Sequence, residues 1–181
     1  MQKKNKKVIP EVASLECGSF VDTRDEQNVI IQSQLLIKTP QTPRPWLHAL
    51  NNRASENAPY ASIWDNCNGG HSSLRAISCG AITRHCDDHY KPLRPIPAAG
   101  RQIFISDGNL FWPAFPTPKT ADEYQDYLCK ESPDCFVIEA TKNNISFRLT
   151  VSVPESAQHE IWEMKIANNE PKKRNVNIFI A

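Results

Sequence analysis

The clearest pattern in the chain is a strict alternation of apolar and polar residues over positions 145–153, with the apolar residues at the odd positions. Successive side chains of a β-strand point to opposite faces of the sheet, so this segment predicts a long strand with one buried face. The alternation recurs at 162–166 and 175–180, which predicts an antiparallel meander with one apolar face. We expect one core to be lined by Phe147, Leu149, Val151, Trp162, Met164 and Ile178.

Short β-branched or aromatic runs, separated by Asn, Asp, Gly and Pro, predict further strands along the rest of the chain. The predicted elements are one or two strands within 29–37, a hairpin over 60–78 with its turn at 66–70, a second hairpin around 107–109, and loops at 51–59 and 86–100. Together with the 14 prolines, these elements predict an all-β domain, an antiparallel β-sandwich. We expect residues 1–14 to be a disordered basic tail and residues 15–181 to form this single domain.

One short segment has a helical signal. Residues 120–123 have the spacing of a capping box, and Tyr124, Tyr127 and Leu128 would then share one face of a helix. We therefore expect one short helix near residues 121–130.

Charge and composition narrow the class of partner and compartment. The 21 Lys and Arg nearly balance the 20 Asp and Glu, for a net charge of +1, so we expect neither a nucleic-acid nor a membrane partner. The basic N-terminus precedes no apolar signal core, and no apolar run approaches the ~18 residues of a membrane span. These features predict a cytoplasmic protein, whose six cysteines would be reduced.

Residues 42–46 form a rigid segment, Thr-Pro-Arg-Pro-Trp, in which two prolines hold the chain extended around an arginine. Arg44 and Trp46 have two interpretations. They could anchor the structure, with the tryptophan at the edge of the core, or they could face a sugar, because aromatic rings and guanidinium donors suit hydroxylated rings.

The densest set of metal-ligand residue types is irregularly spaced. Its members are Cys67, His71, Cys79, His85, Cys86 and His89. Zinc sites usually contain a Cys-x2-Cys or similar pair, which this set lacks. We therefore predict no zinc, and interpret these residues as core fillers and turn residues. Because phosphate-binding glycine loops and nucleophile elbows are also absent from the sequence, we predict no cofactor and no catalytic residue.

Several segments resemble, in order and spacing, the N-terminal β-sandwich domain of the inverting glycoside phosphorylases, which include the cellobiose, cellodextrin and chitobiose phosphorylases. The matching segments are 17–22, 42–51, 60–64, 68–70, 80–85, 100–107, 111–113, 160–168 and 171–174. The resemblance implies a supersandwich-like, galactose-mutarotase-like fold, truncated relative to the full family domain. Residues 127–135 depart from the family pattern.

The resemblance also implies a function. In these phosphorylases the general acid and the phosphate pocket belong to a helical barrel that follows the sandwich. We therefore expect a non-catalytic, carbohydrate-associated domain that works with such a barrel, as a domain or subunit, on β-linked gluco- or chito-oligosaccharides, and that self-associates. The tentative sugar-binding residues are Arg44, Trp46, Tyr60, Trp64, Arg84 and Trp112.

Two other functions fit the sequence. One is a free-standing carbohydrate-binding module, which would need exposed, coplanar aromatic rings. The other is a ligand-free interaction or scaffold domain.

Overall fold

The computed structural model describes residues 7–43, 46–52, 60–67, 69–74, 101–108 and 110–181, and for residues 7–15 it describes the backbone only. Its strands are β1 (Lys7–Leu15), β2 (Gly18–Arg24), β3 (Ile30–Ile37), β4 (Leu47–Asn51), β5 (Tyr60–Asp65), β6 (Gly70–Leu74), β7 (Ile103–Ser106), β8 (Phe111–Pro113), β9 (Gln125–Glu131), β10 (Cys135–Lys142), β11 (Ile145–Ser152), β12 (Ile161–Asn168) and β13 (Asn177–Ile180). A single turn of 3-10 helix spans Ala121–Glu123. No helix among these residues is long and apolar enough to cross a membrane.

The strands form an antiparallel β-sandwich. One layer is a seven-stranded sheet of order β1-β2-β3-β9-β10-β11-β12, and the other consists of two three-stranded sheets, β13-β7-β8 and β4-β5-β6. Residues from all three sheets share one apolar core. The rings of Trp64 and Phe136 stack across it at 5.5 Å, and those of Phe115 and Phe147 meet edge to face at 5.4 Å. The predicted fold class is therefore confirmed.

The predicted core positions on β11 are also confirmed. Phe147, Leu149 and Val151 are completely enclosed, and Trp162 and Met164 on β12 are half-buried against them. A two-residue turn of Asn143 and Asn144, with φ of 52° and 59°, joins β10 to β11. Positive φ at both positions is the requirement of a tight hairpin turn, and asparagine tolerates it.

The two predicted hairpins are present as β5–β6 and β7–β8. In the first, Gly70 has a φ of +135°, and a Cβ there would lie 2.0 Å from the carbonyl oxygen of Ile63. Only glycine fits this close approach of the two strands. The strands predicted within 29–37 are one strand, β3, whereas the loop predicted at 86–100 lies outside the described residues.

The predicted helix near 121–130 is wrong beyond its first turn. Thr120 makes no side-chain cap bond to the helix, because its hydroxyl accepts the backbone N–H of Thr117 at 3.0 Å. Tyr124 is already extended, and β9 follows between β3 and β10. Two neighbouring strands offer this segment more backbone hydrogen bonds than a short helix would.

Two other expectations need correction. The segment expected to be a disordered tail contains β1, which pairs with β2. The C-terminal meander ends at β12, because β13 crosses to the second layer and pairs with β7. Ile178, expected in the core, is on the inner face of that sheet beside Ile105 but is 39% exposed. The alternating pattern identified the strand correctly but contained no information on which sheet it would join.

Candidate functional site: buried polar clusters between the layers

Arg101 is the centre of the first polar cluster and is only 3% exposed. Its Nη1 donates to both carboxylate oxygens of Glu160 at 2.6 and 2.7 Å, and its Nη2 donates to the carbonyl of Ile63 at 2.6 Å. Burial lowers the pKa of the guanidinium, and the charge of Glu160 opposes that shift. The pair therefore ties the start of β7 to the start of β12 through β5.

Residues of β5 complete this cluster. The ring of Trp64 lies under the guanidinium, with 4.0 Å from Cζ to the ring centroid, and its Nε1 donates to Ser62 Oγ at 2.8 Å. The Ser62 hydroxyl in turn donates to the carboxylate of Glu160. A buried ion pair is tolerated when further hydrogen bonds satisfy its members. This arrangement is typical of a structural site, since the guanidinium face is covered by Trp64.

The second cluster is less well satisfied. His48 on β4 faces Glu131 at the end of β9, with 3.8 Å between Nδ1 and Oε2. His48 Nε2 and Glu131 Oε1 are buried, and neither has a hydrogen-bond partner in the part of the chain that the structure describes. Burial, with a smaller effect from Asp65, raises the pKa of Glu131 to about 7. Burial lowers the pKa of His48, so His48 favours its neutral form near neutral pH, whereas Glu131 loses its proton in that range.

The groups around Glu131 are held in place. The Asp65 carboxylate accepts the backbone N–H of Cys67 at 2.7 Å and that of Gly69 at 2.8 Å. The hydroxyl of Tyr127 donates to the carbonyl of Asn66. Burial raises the pKa of the fully enclosed Cys129 thiol. Because thiolates are the nucleophilic form, Cys129 is interpreted as a core residue.

We expect Glu131→Gln to stabilise the fold increasingly as pH rises. The folded-state pKa of Glu131 lies above its ordinary value of 4.5, so the contribution of its bound proton to stability is complete below that value and is lost as pH rises through about 7. Relative to the parent, the variant should gain about 2–3 kcal/mol between pH ~4.5 and ~8.

Urea denaturation of both proteins at each pH measures this difference. The lowered pKa of His48 changes stability in the opposite direction, and the comparison with the parent at the same pH removes most of that effect. Glu155→Gln, at an exposed glutamate, controls for the change in net charge. If the difference in unfolding free energy between Glu131→Gln and the parent stays constant across this pH range, the pKa of Glu131 is not raised in the folded protein.

The free-standing binding module would need exposed aromatic rings, and most of the candidate rings are buried. Tyr60, Trp64 and Trp112 are all buried, because the even-numbered side chains of β5 face the core and Trp112 is the inward residue of β8. Trp46 is half-buried against the core, and its backbone N–H donates to Asn66 Oδ1 at 3.0 Å. Arg44 and Arg84 lie outside the described residues, and the assignment of all six to a sugar site stays a prediction.

The metal candidates are only partly described. Cys67 is buried with its Sγ 3.5 Å from the carbonyl of Pro40, and His71 is also buried. The four others, Cys79, His85, Cys86 and His89, lie outside the described residues. Within the residues that the structure covers, no three His, Cys, Asp or Glu side chains are grouped to hold a metal. The absence of zinc stays a prediction, to be checked by elemental analysis.

Sequence reasoning did not single out Arg101, Glu160, His48 or Glu131 as site residues. Arg101 and Glu160 are 59 positions apart, and no local pattern connects residues at that separation. Glu131 lies one residue beyond the helix predicted near 121–130, in a segment for which no strand was predicted. One signal was available for His48, since it is an ionisable residue between apolar neighbours at the start of a strand.

The fold is thus an antiparallel sandwich with one shared apolar core and a buried Arg101–Glu160 ion pair, and comparison with known proteins gives its family. Residues 32–181 match the family model of the glycosyl hydrolase 94 supersandwich domain, and the chain belongs to that family. This confirms the resemblance to the N-terminal domain of glycoside phosphorylases.

Two curated relatives are similar over most of the chain. An N,N'-diacetylchitobiose phosphorylase from Vibrio proteolyticus is 22% identical over 150 residues, which is 81% of this chain and 17% of the relative. A 3-O-beta-D-glucopyranosyl-beta-D-glucuronide phosphorylase from Paenibacillus borealis is 24% identical over 151 residues, 82% of this chain and 17% of the relative. The chain therefore spans about a sixth of the length of these relatives.

Proposed function

We propose that this chain is a non-catalytic, carbohydrate-associated β-sandwich of a glycoside phosphorylase that acts on β-linked gluco- or chito-oligosaccharides. The observation that carries the proposal is the match of residues 32–181 to the supersandwich domain. Both relatives described above are phosphorylases of disaccharides, named for a chitobiose and for a glucosyl glucuronide. Their names support the substrate class, and the low identities leave the particular sugar open.

In this proposal the sandwich has a catalytic helical-barrel domain or subunit as its partner and works in the cytoplasm. The described ionisable groups with displaced pKa values support a non-catalytic role, because nearly all of them are enclosed between the layers. Arg101 is covered by a tryptophan ring and a carboxylate, and burial raises the pKa of Tyr124 and Tyr127. The cysteines at 17, 129 and 135 are free thiols, which agrees with a reducing compartment.

The purified chain should release no sugar 1-phosphate from cellobiose, longer β-glucans or chitobiose in the presence of inorganic phosphate. Calorimetric titration with the same sugars should detect at most weak binding, with a Kd near or above about 1 mM. Arg44→Ala should weaken any such binding, whereas Arg148→Ala, at a partly exposed arginine on β11, should not. Turnover by the isolated chain would refute the non-catalytic part of the proposal, and binding unaffected by Arg44→Ala would remove the predicted sugar contact.

A specific observation favours the scaffold alternative over the free-standing binding module. The large exposed side chains of β8 and β13 are Phe111, Phe179, Ile178 and Ile180, and the Phe111 ring contacts the rings of Phe104 and Phe179 at 4.9 and 5.8 Å. Exposed apolar patches of this kind usually mark surfaces that contact other protein segments. A binding module would instead expose tryptophan or tyrosine faces, and three of the four candidates are buried.

A further inference from the structure

A polar cleft of about 520 Å³ lies at one end of the sandwich, where three connections between strands meet. The β7–β8 turn contributes Asp107, the β10–β11 turn contributes Asn143 and Asn144, and the β12–β13 connection contributes residues 170 and 172–175. Small-molecule sites usually have volumes of about 300–1,000 Å³. The cleft is therefore large enough for a mono- or disaccharide, and none of the sugar or metal candidates from the sequence lines it.

Arg174 fixes the relative positions of the three connections. Its Nη2 donates to the carboxylate of Asp107, and its Nη1 donates to the carbonyl of Asn143. On the other side, Asn144 Nδ2 donates to Glu170 Oε1 at 2.8 Å. The walls of the cleft are thus bonded to one another before any ligand enters, and such preorganisation lowers the cost of binding.

The charges that line the cleft favour an anion. Glu170 lies 3.9 Å from the Arg174 guanidinium, which also pairs with Asp107, so one arginine faces both carboxylates. Lys172 and Lys173 are exposed at the cleft, and no ion pair holds either ammonium within the described part of the chain. Three cationic and two anionic side chains give the lining a net charge of +1. Since Arg174 pairs with both carboxylates, Lys172 and Lys173 are the cations that can bind an anionic ligand.

The cleft also offers groups for hydroxyls. Asn143 and Asn175 line it, and an asparagine side-chain amide supplies two donors and one acceptor oxygen. An ammonium pair next to amides can neutralise a carboxylate or phosphate while the amides bind neighbouring hydroxyl groups. Neither group alone would distinguish a charged sugar from a simple anion or from a neutral sugar.

We infer that this cleft binds an anionic saccharide, with Lys172 and Lys173 on its charged group and the asparagine amides on its hydroxyls. The choice of a saccharide rests on the proposed function, whereas the preference for an anion rests on the charges of the cleft. The charged group can be the carboxylate of a uronic acid or the phosphate of a sugar phosphate. Both groups are anions that an ammonium group can bind, and titration with each kind of sugar distinguishes them.

The test titrates the chain with glucuronate, glucose 1-phosphate, glucose and inorganic phosphate, and follows the side-chain amide signals of Asn143, Asn144 and Asn175 by NMR. One or both anionic sugars should bind about tenfold more tightly than glucose and inorganic phosphate, and the tighter of the two identifies the source of the charge. Lys172→Gln/Lys173→Gln should weaken that binding about tenfold. Lys38→Gln/Lys119→Gln, at two exposed lysines elsewhere, should leave it unchanged.

Equal affinity for glucose and for the anionic sugars would overturn the inference, as would equal affinity for inorganic phosphate and the sugar phosphate. Binding that the two lysine substitutions leave unchanged would also overturn it, because the ligand would then lie elsewhere. These outcomes are independent of the proposed function, which is tested with neutral oligosaccharides and by turnover. Neutral sugars could bind through Arg44 even if the cleft stays empty.

Discussion

Phe147→Ala should lower the free energy of unfolding by about 3–5 kcal/mol. Phe147 is completely enclosed at the centre of β11, where its ring meets that of Phe115 edge to face. Removing the ring loses its transfer energy and leaves a cavity, because the neighbouring residues of a β-sandwich can collapse only partly into the space. Urea denaturation followed by tryptophan fluorescence measures the change.

Phe20→Ala is the matched control, since Phe20 lies on β2 and is a large exposed apolar residue. The same atoms are deleted there without a cavity, so the cost should stay below about 1 kcal/mol. If Phe147→Ala unfolds within about 1 kcal/mol of the parent, the assignment of the odd-numbered face of β11 to the core is wrong.

The predictions that succeeded depend on signals carried by neighbouring residues. The alternation along β11, the Asp-Gly turn between β7 and β8 and the glycines between β5 and β6 each specify a local conformation, and each element is present in the structure. The resemblance in order and spacing likewise agrees with the family match over residues 32–181.

The predictions that failed needed information about distant residues. Residues 120–128 have a helical signal, but β9 begins at Gln125, where it pairs with β10, and its residues 129–131 also pair with β3. The ring of Trp64 has the chemistry of a sugar platform, yet it is on the inner face of β5, where it stacks on Phe136 of the other layer and is 0% exposed. The residue type of Trp64 does not determine which layer covers it. No local pattern predicts the cluster of Arg101 and Glu160, because the two residues are distant in the sequence and meet only in the folded protein.

No strand that the structure describes covers the core between β12 and β13. Ile178 and Ile180 pair with the buried residues Ile105 and Ile103, so they share the inner face of their sheet, yet they are 39% and 60% exposed. On the opposite layer, Ile166 pairs with Phe147 and is 41% exposed. The inward-facing isoleucines of β12 and β13 are therefore exposed to solvent on the same side of the sandwich.

The backbone of β13 is open on that side as well. β13 is the end strand of its sheet. Ala181 and Gln102 exchange both backbone hydrogen bonds at 2.9 Å, and antiparallel pairs alternate between bonded and non-bonded positions. The N–H groups of Ile178 and Ile180 therefore point away from β7, towards the open edge. An edge with unpaired backbone groups beside an apolar face is a template for another strand.

The isolated chain should consequently self-associate through β13. A second copy is the occupant we expect, because two identical antiparallel edge strands related by a two-fold axis satisfy both sets of outward-pointing groups at once. Multi-angle light scattering over an about hundredfold range of concentration should show the average mass rising towards twice that of one chain. Ile178→Pro should abolish the rise, because proline removes an outward N–H and leaves the hydrogen bonds to β7 intact.

Phe179→Ala is the control, since it deletes an exposed apolar side chain of the same strand and keeps every backbone donor. It should associate as the parent does if the strand edge forms the contact. Monomeric parent protein at every concentration would refute the prediction. If Phe179→Ala is monomeric while Ile178→Pro still associates, the contact is made by the rings of Phe104, Phe111 and Phe179, and the edge of β13 is not the interface.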